Sequence, residues 1–275
     1  MPSQIIKSTN DDGIIAQKNY DVVKSDDVFR ILIIGDSFTE GMYVAFEETY
    51  PKKLENMLNM VNPCRSFSKY EVINLGVGGY DIEYAAARVL SRGIKYNPDL
   101  VIWLLKDDDF IERAEINFDR EERYIDVINN QLEGDVNKFD QYQRWISDFK
   151  YEKYLGGIVH GIVVKEQIEQ ESYISYYDKQ SSASLRVVTA LNAPIILATF
   201  RNTAPIFKAR MKVWANTHKT ITYFSDIPEL QMGTHTFEPF DGHPNSAGHT
   251  VLAESIYRSV IGIGACSSLP SGRLA

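Results

Sequence analysis

The sequence predicts a doubly wound α/β fold, in which a five-stranded parallel sheet is covered by helices on both faces. Five short runs are continuously apolar, rich in β-branched and aromatic side chains, and separated by segments with helical periodicity. Continuous apolar runs are typical of parallel strands buried on both faces, whereas half-exposed strands alternate. Strands that alternate with helices are joined by right-handed crossovers into such a sheet.

The predicted strands cover residues 30–35, 71–75, 99–105, 194–200 and 220–224. Apolar residues recur at helical spacing over residues 48–60 and 82–96, which predicts two helices between the first three strands. A last helix is expected after Asn245, because an asparagine before an apolar periodic segment is a typical N-cap.

The long connection between the third and fourth strands interrupts this alternation. We interpret the chain, residues 1–275, as a single domain with an N-terminal extension over residues 1–29 and a helical insertion over about 110–190. Aromatic residues and helical periodicity in the insertion argue against a long structureless loop. Two interpretations stay open: a cap over the substrate, or a helical layer without substrate contact.

Composition limits the classes of partner. The chain has 275 residues, 44% of them hydrophobic, and a net charge of −8, which argues against a nucleic-acid partner. No apolar run approaches the ~20 residues of a membrane span, and the first twenty residues lack the pattern of a signal peptide. A soluble protein is expected, with the cytoplasm slightly favoured and no prediction of oligomeric state. A pair like Cys64 and Cys266, far apart and without metal or redox spacing, is more often two unlinked thiols than a disulfide, and both alternatives stay open. Neither a cofactor nor a metal ion is expected.

Candidate chemistry follows the first and fifth strands. Ser37 lies in the turn Gly-Asp-Ser after strand one, and Asp241 and His243 share a loop after strand five. Taken alone, Ser37 is more simply interpreted as a helix cap, and Asp241-Gly242 as a turn. Together they are expected at one sheet edge, where α/β proteins bind ligands, in a chain order known for Ser-His-Asp triads.

These segments resemble the SGNH hydrolases, also called the GDSL family. Residues 31–41, 74–79 and 241–249 are similar to three family blocks in the family order, within a resemblance covering about 30–120 and 193–260. The resemblance implies a flavodoxin-like α/β/α sandwich and hydrolysis of a small-molecule or carbohydrate acyl ester. It also implies Ser37 as nucleophile, His243 as general base, Asp241 as its orienting acid, and an oxyanion hole formed by the backbone amides of Ser37 and Gly79.

One block departs from the family pattern. Where the family has an asparagine that donates to the oxyanion, counting from Pro98 places Asp108, with an uncertainty of one residue. An ionised carboxylate donates no hydrogen bond, and losing one oxyanion donor typically costs ~10²–10³ in rate. Asp108 is expected to be held protonated, to point away, or to be neutralised by Lys106. The functional hypotheses are therefore an esterase, an acyltransferase on the same triad, or a binding protein on an inactive scaffold.

Two further residues are predicted to contact substrate. Arg201 and Asn202 follow the fourth strand, so they are expected at the same sheet edge as the catalytic groups. A nucleotide-binding module of flavodoxin-like type is disfavoured, because no glycine-rich phosphate loop follows the first strand.

Overall fold

A computed structural model describes residues 7–64, 66–110 and 181–262. Its centre is a parallel five-stranded sheet in the order β2-β1-β3-β4-β5. The strands are β1 (Val28–Ile34), β2 (Lys69–Asn74), β3 (Leu100–Leu105), β4 (Ile195–Phe200) and β5 (Ile221–Ile227). This is the flavodoxin-like order, whose topological switch point lies between β1 and β3. The predicted fold class is confirmed.

Helices cover both faces of this sheet. Among the described residues they are α1 (Ser37–Glu40), α2 (Tyr50–Val61), α3 (Ile82–Arg88), α4 (181–189), α5 (Pro205–Thr217) and α6 (Ser246–Gly262). The side chains of β1 alternate between two apolar clusters. Leu32 and Ile34 belong to the cluster that includes α3, α4 and α5, and Ile31 and Ile33 to the cluster that includes α2 and α6.

The structure corrects three details of the prediction. β5 is an edge strand whose middle residues are partly or fully exposed, so it is not covered on both faces as its apolar run suggested. Helix α5 was not predicted, because it buries only Met211 and Trp214 and so lacks a strong apolar stripe. The helix predicted over residues 82–96 ends at Arg88 and continues as a π-helical turn, Val89–Gly93, and a 3₁₀ turn, Ile94–Tyr96.

The N-terminal extension packs against the sheet layer. Ile14 is fully buried, and Tyr20 Oη donates to the backbone oxygen of Val72 at 3.3 Å. Most of the predicted insertion, residues 111–180, lies outside the described residues, as do residues 1–6 and 263–275. Cys64 is disulfide-bonded, which corrects the expectation of a free thiol.

A buried ion pair links the amino-terminal halves of β1 and β2. Arg30 and Glu71 are partners in the strand register, and Arg30 Nη2 lies 2.8 Å from Glu71 Oε2. Arg30 also donates through Nη1 to the backbone oxygen of Tyr96 at 2.9 Å. Both charged side chains are almost fully buried, although Lys69 also pairs with Glu71 at 2.6 Å.

We expect Arg30→Met to lower the free energy of unfolding by about 3 kcal/mol, because removing one partner leaves a buried charge poorly compensated. Urea unfolding at pH 7 measures this. The double variant Arg30→Met/Glu71→Met is the control and should recover most of the loss, since a well-packed apolar pair removes the unpaired charge. A loss below about 1 kcal/mol in the single variant would show that Lys69 alone compensates Glu71.

Candidate active site

Ser37 lies at the switch point of the sheet, directly after β1. The preceding residue, Asp36, caps helix α1: its Oδ1 accepts the backbone N–H of Phe38 at 3.0 Å. Asp36 Oδ2 lies 3.4 Å from Ser37 Oγ. Only 8% of the surface of Ser37 is exposed, so a reactant reaches its hydroxyl only through the cleft that the side chain lines.

Asp241 and His243 complete a hydrogen-bonded chain to this serine. His243 Nε2 lies 2.8 Å from Ser37 Oγ, and His243 Nδ1 bonds to Asp241 Oδ1. The same carboxylate oxygen accepts the backbone N–H of His243 at 2.8 Å. Because the carboxylate accepts the proton on Nδ1, Nε2 is left as the acceptor that faces the serine.

The hydrogen bonds also fix the charge of Asp241. Partial burial raises the pKa of Asp241, but the hydrogen bonds from the backbone N–H and ring of His243 outweigh it, so the pKa lies below its usual value. Asp241 is therefore ionised at neutral pH, as a residue that stabilises an imidazolium must be.

The loop that carries His243 is anchored to helix α6. Asn245 Oδ1 accepts the backbone N–H groups of Ala247 and Gly248 at 2.9 and 3.1 Å, which confirms the predicted N-cap. Gly248 packs so closely against the chain before the loop that a Cβ atom there would lie 2.1 Å from the backbone oxygen of His235. The helix start and the loop are thus held in one fixed arrangement.

Aromatic rings hold the imidazole of His243 from two sides. Its centroid lies 5.6 Å from the ring of Phe38 and 5.5 Å from that of Tyr43, which stands perpendicular to it. Tyr43 has a φ of 66°, a left-handed conformation that is unfavourable for a bulky residue. Sequence reasoning missed Tyr43, because neither its conformation nor its contact with His243 has a local sequence signal.

A cleft of about 680 Å³ opens over these groups. Gly79 lines it with a φ of 78°, in the left-handed region that favours glycine, and a Cβ atom there would meet nothing within 4 Å. The neighbouring Gly78 donates its N–H to Glu40 Oε2 at 2.6 Å, which fixes this loop to helix α1. The structure thus brings the predicted residues Ser37, Gly79, Asp108, Asp241 and His243 to one cleft.

Asp108 is bound by Lys106. Lys106 Nζ lies 2.7 Å from Asp108 Oδ2 and 2.7 Å from Asp36 Oδ2, and it stands 4.5 Å from the centroid of the Phe38 ring. The Asp108 side chain is 45% exposed, against 13% for Lys106. Burial lowers the pKa of Lys106, but the charges of Asp36, Asp109 and Asp108 outweigh it and raise the pKa above its usual value. Lys106 is therefore charged.

The buried acid of this cluster is Asp109, one residue beyond the predicted position. Its side chain is buried and accepts the backbone N–H of Lys106 on Oδ2 at 2.7 Å. Burial, followed by the charge of Asp36, raises the pKa of Asp109 well above its usual value. Of the alternatives left open for Asp108, its pairing with Lys106 favours neutralisation by that lysine. Asp109 is the carboxyl whose ionised form is disfavoured.

A second cavity of about 320 Å³ adjoins the cleft and shares with it Phe38, Lys106, Asp108 and Gly242. Asn202 lines this second cavity, as expected for a residue after β4. Arg201 instead pairs with Asp226 at 2.6 Å, and both side chains are more than half exposed. A substrate contact is therefore better supported for Asn202 than for Arg201.

His249 lies behind the site as a fully buried neutral imidazole. Its Nδ1 accepts the backbone N–H of Tyr50, at the start of α2, at 3.2 Å, and its ring stacks on that of Tyr50. Burial, followed by the positive charges of Lys7 and Lys53, lowers the pKa of His249 to about 3. Its Nε2 has no hydrogen-bond partner, so protonation would leave a buried charge uncompensated.

We expect His249 to destabilise the fold as the pH falls from about 6.5 towards 3. The unfolded chain binds a proton at His249 near pH 6.5, whereas the folded chain does not bind it until about pH 3. The folded state is therefore unaffected by this group above pH 6.5 and loses free energy of unfolding as the pH falls through this window. The loss amounts to at most about 5 kcal/mol over the whole window. Urea unfolding at several pH values measures it. The variant His249→Gln, which keeps an acceptor for Tyr50, should show a shallower pH dependence, and parallel curves would contradict this assignment.

Neither a metal centre nor a membrane span is found in the described parts of the chain. Within residues 7–64, 66–110 and 181–262, His, Cys, Asp and Glu side chains form no group suited to holding a metal ion. No helix in these ranges is long and apolar enough to cross a bilayer.

Comparisons with known proteins show similarity at the level of structure. No protein-family model and no curated protein sequence matches the chain. A catalytic mutant of Axe2, an acetylxylan esterase from Geobacillus stearothermophilus, is similar with 17% identity and a TM-score of 0.50, over 84% of this chain and 94% of that one. The psychrotrophic esterase EstA from Pseudoalteromonas sp. is similar with 14% identity and a TM-score of 0.48, over 85% and 97%.

A third similar structure is a two-domain esterase, CEX, active on acetylated mannans. It has 14% identity and a TM-score of 0.49, over 88% of this chain and 51% of that one. At 17% identity, the similarity to Axe2 shows a shared fold. The chain therefore shares the doubly wound α/β fold of this structure, the fold class that the sequence predicted.

Proposed function

We propose that this protein hydrolyses acyl esters through a covalent acyl-enzyme on Ser37. The observation that carries the proposal is the unbroken hydrogen-bonded chain from Ser37 through His243 to Asp241. A serine hydroxyl is a weak nucleophile until an adjacent base accepts its proton, and His243 Nε2 is within reach at 2.8 Å. An ionised Asp241 gives this base the correct tautomer.

The reaction proceeds in two halves. Ser37 Oγ attacks the ester carbonyl carbon while His243 Nε2 takes its proton, giving a tetrahedral intermediate with a negative oxygen. His243 then returns the proton to the alcohol oxygen as the carbon–oxygen bond breaks, leaving the acyl group on Ser37. Water attacks this acyl group by the same route, and its proton passes through His243 to Ser37.

The negative oxygen requires fixed donors. Ser37 begins helix α1 and Gly79 lines the same cleft, which supports the assignment of their backbone N–H groups to the oxyanion hole. The acyl group is proposed to enter the cleft beside Gly79, and the alcohol to extend towards the second cavity lined by Asn202. Small-molecule and carbohydrate acyl esters are the proposed substrates.

The acyltransferase and inactive-scaffold alternatives have less support. Transfer requires the exclusion of water, and the insertion that would provide it lies outside the described residues. The inactive scaffold was motivated by an ionised Asp108 facing the oxyanion, yet the structure pairs that carboxylate with Lys106.

Hydrolysis of p-nitrophenyl acetate, before and after treatment with diethyl p-nitrophenyl phosphate, tests the proposal. This organophosphate phosphorylates activated serines, so we expect turnover that is lost on treatment and one adduct per chain. Peptide mass spectrometry should place the adduct on Ser37 and on none of the other serines, which serve as internal controls. Absence of both turnover and adduct would contradict the proposed function.

A further inference from the structure

A lysine at the cleft has no place in the mechanism above. Lys106 lines the cleft together with Ser37 and Gly79, and its side chain is only 13% exposed. Its ammonium is linked to the nucleophile through one shared atom: Asp36 Oδ2 lies 2.7 Å from Lys106 Nζ and 3.4 Å from Ser37 Oγ. The ammonium of Lys106 is thus connected to Ser37 Oγ through a single bridging carboxylate oxygen.

We propose that Lys106 is a catalytic residue, whose ammonium stabilises the negative oxygen of the tetrahedral intermediate at Ser37. It would take the place of the amide donor that a carboxylate at position 108 cannot supply. The inference rests on the proposed ester hydrolysis and adds a residue to it.

The arrangement of charges supports a direct role. An ammonium has three N–H donors, which here face Asp36 Oδ2 at 2.7 Å and the two oxygens of Asp108 at 2.8 and 2.7 Å. A donor is freed for the oxyanion when Asp108 turns outwards. The Phe38 ring, 4.5 Å from Nζ, shields the remaining side of the ammonium with an apolar surface. In such a partly dry site, a fixed positive charge interacts more strongly with a developing anion than it would in water.

The carboxylates beside Lys106 differ in how strongly they compete with the oxyanion. Asp109 is buried, and burial together with the charge of Asp36 raises its pKa well above its usual value, which disfavours its ionised form. Asp108 is 45% exposed, so water screens its charge and the side chain has room to rotate outwards. The backbone of Lys106 is fixed at the same time, because its N–H donates to Asp109 Oδ2 at 2.7 Å.

A competing explanation is that Lys106 only neutralises Asp108. The two explanations differ in the double variant Lys106→Met/Asp108→Ala, from which both charges are removed without adding a hydrogen-bond donor. If Lys106 acts on the oxyanion, its loss is equally harmful whether position 108 keeps its carboxylate or carries only a methyl group. If it acts only on Asp108, the double variant recovers the activity of the wild type.

The experiment measures kcat and KM for p-nitrophenyl acetate, and the affinity for phenylboronic acid, in the wild type, Lys106→Met, Lys106→Arg, Asp108→Ala and the double variant. Phenylboronic acid forms an anionic tetrahedral adduct with an active serine, so its affinity reports on the oxyanion site without turnover. We expect Lys106→Met to lower kcat and boronate affinity by about 10²–10³-fold, with KM within about twofold of the wild type. Lys106→Arg should retain more activity, because it keeps the charge.

Asp108→Ala should be at least as active as the wild type, and the double variant as impaired as Lys106→Met. Recovery in the double variant, or unchanged boronate affinity in Lys106→Met, would overturn the role of Lys106. If Lys106→Met does not fold, a fall in boronate affinity in Asp108→Ala would overturn it equally. A wild type that shows neither turnover nor Ser37-dependent boronate binding would instead overturn the proposed function, and the inference with it.

Discussion

Replacement of Ser37 by alanine is expected to lower the hydrolysis of p-nitrophenyl acetate by at least about 10⁴-fold. The variant lacks the oxygen that forms the acyl-enzyme, so His243 can only activate water directly. Ser37 Oγ lies 2.8 Å from His243 Nε2, and no other serine among the described residues is shown bonded to this nitrogen. Steady-state rates of purified wild type and variant, measured side by side, provide the test.

The matched control for this substitution is Ser66→Ala. Ser66 is exposed and precedes β2, so it lies at the opposite edge of the sheet from Ser37. It should keep wild-type turnover and an unchanged unfolding midpoint. A Ser37→Ala variant that retained more than about one-hundredth of the wild-type rate would assign the activity to another nucleophile, because removal of a nucleophile costs far more than removal of a supporting donor.

The fold was predictable because the sheet is buried on both faces. β1, β3 and β4 are buried at every residue, so their sequences are continuously apolar and identify them without knowledge of their neighbours. The same signal fails at β5, where a sheet edge exposes the strand, and at α5, where a mostly exposed helix needs no apolar stripe. Both failures arise because burial, which determines the pattern, is set by tertiary position.

The continuation of α3 approaches the sheet closely at Gly93, which the sequence does not display. Gly93 ends the π-helical turn, and a Cβ atom there would meet Leu75 Cδ1 at 2.8 Å and Leu32 Cδ1 at 3.3 Å. A larger residue at this position would force these leucine methyl groups to shift. The apolar periodicity of residues 82–96 predicts one regular helix, because periodicity reports which side is buried and not how closely it packs.

The candidate site was predictable to the extent that its residues follow strands. Ser37 is some two hundred positions away from Asp241 and His243 in the sequence. The carboxyl ends of parallel strands lie at one edge of the sheet, so the topology brings the three residues together. The fate of Asp108 was not predictable, because it depends on which of three consecutive aspartates faces the interior. The structure buries Asp109 and leaves Asp108 half-exposed beside Lys106, an outcome set by the backbone direction after β3.

Asp241→Asn is expected to lower kcat for p-nitrophenyl acetate by about 10³–10⁴-fold at pH 7, with little change in stability. The asparagine keeps an oxygen that can accept the backbone N–H of His243, now bonded to Asp241 Oδ1 at 2.8 Å, so the loop should retain its shape. The same oxygen also bonds to His243 Nδ1, and a neutral amide oxygen there stabilises the imidazolium less than a carboxylate does. In the other amide orientation, the nitrogen takes this position, gives up the backbone hydrogen bond and donates to His243 Nδ1. That contact favours the tautomer with a proton on Nε2, which cannot accept the proton of Ser37.

The exposed Asp21→Asn is the matched control, since it removes the same charge at a position before β1 and should leave kcat unchanged. A sharper test is the double variant Ser37→Ala/Asp241→Asn. If Asp241 acts only through His243 on Ser37, the double variant is no slower than Ser37→Ala, because residues that act as a unit are not additive. A further loss in the double variant, or a kcat for Asp241→Asn within tenfold of wild type, would show that Asp241 does not orient the base, and the hydrogen-bonded chain would then have only a structural role.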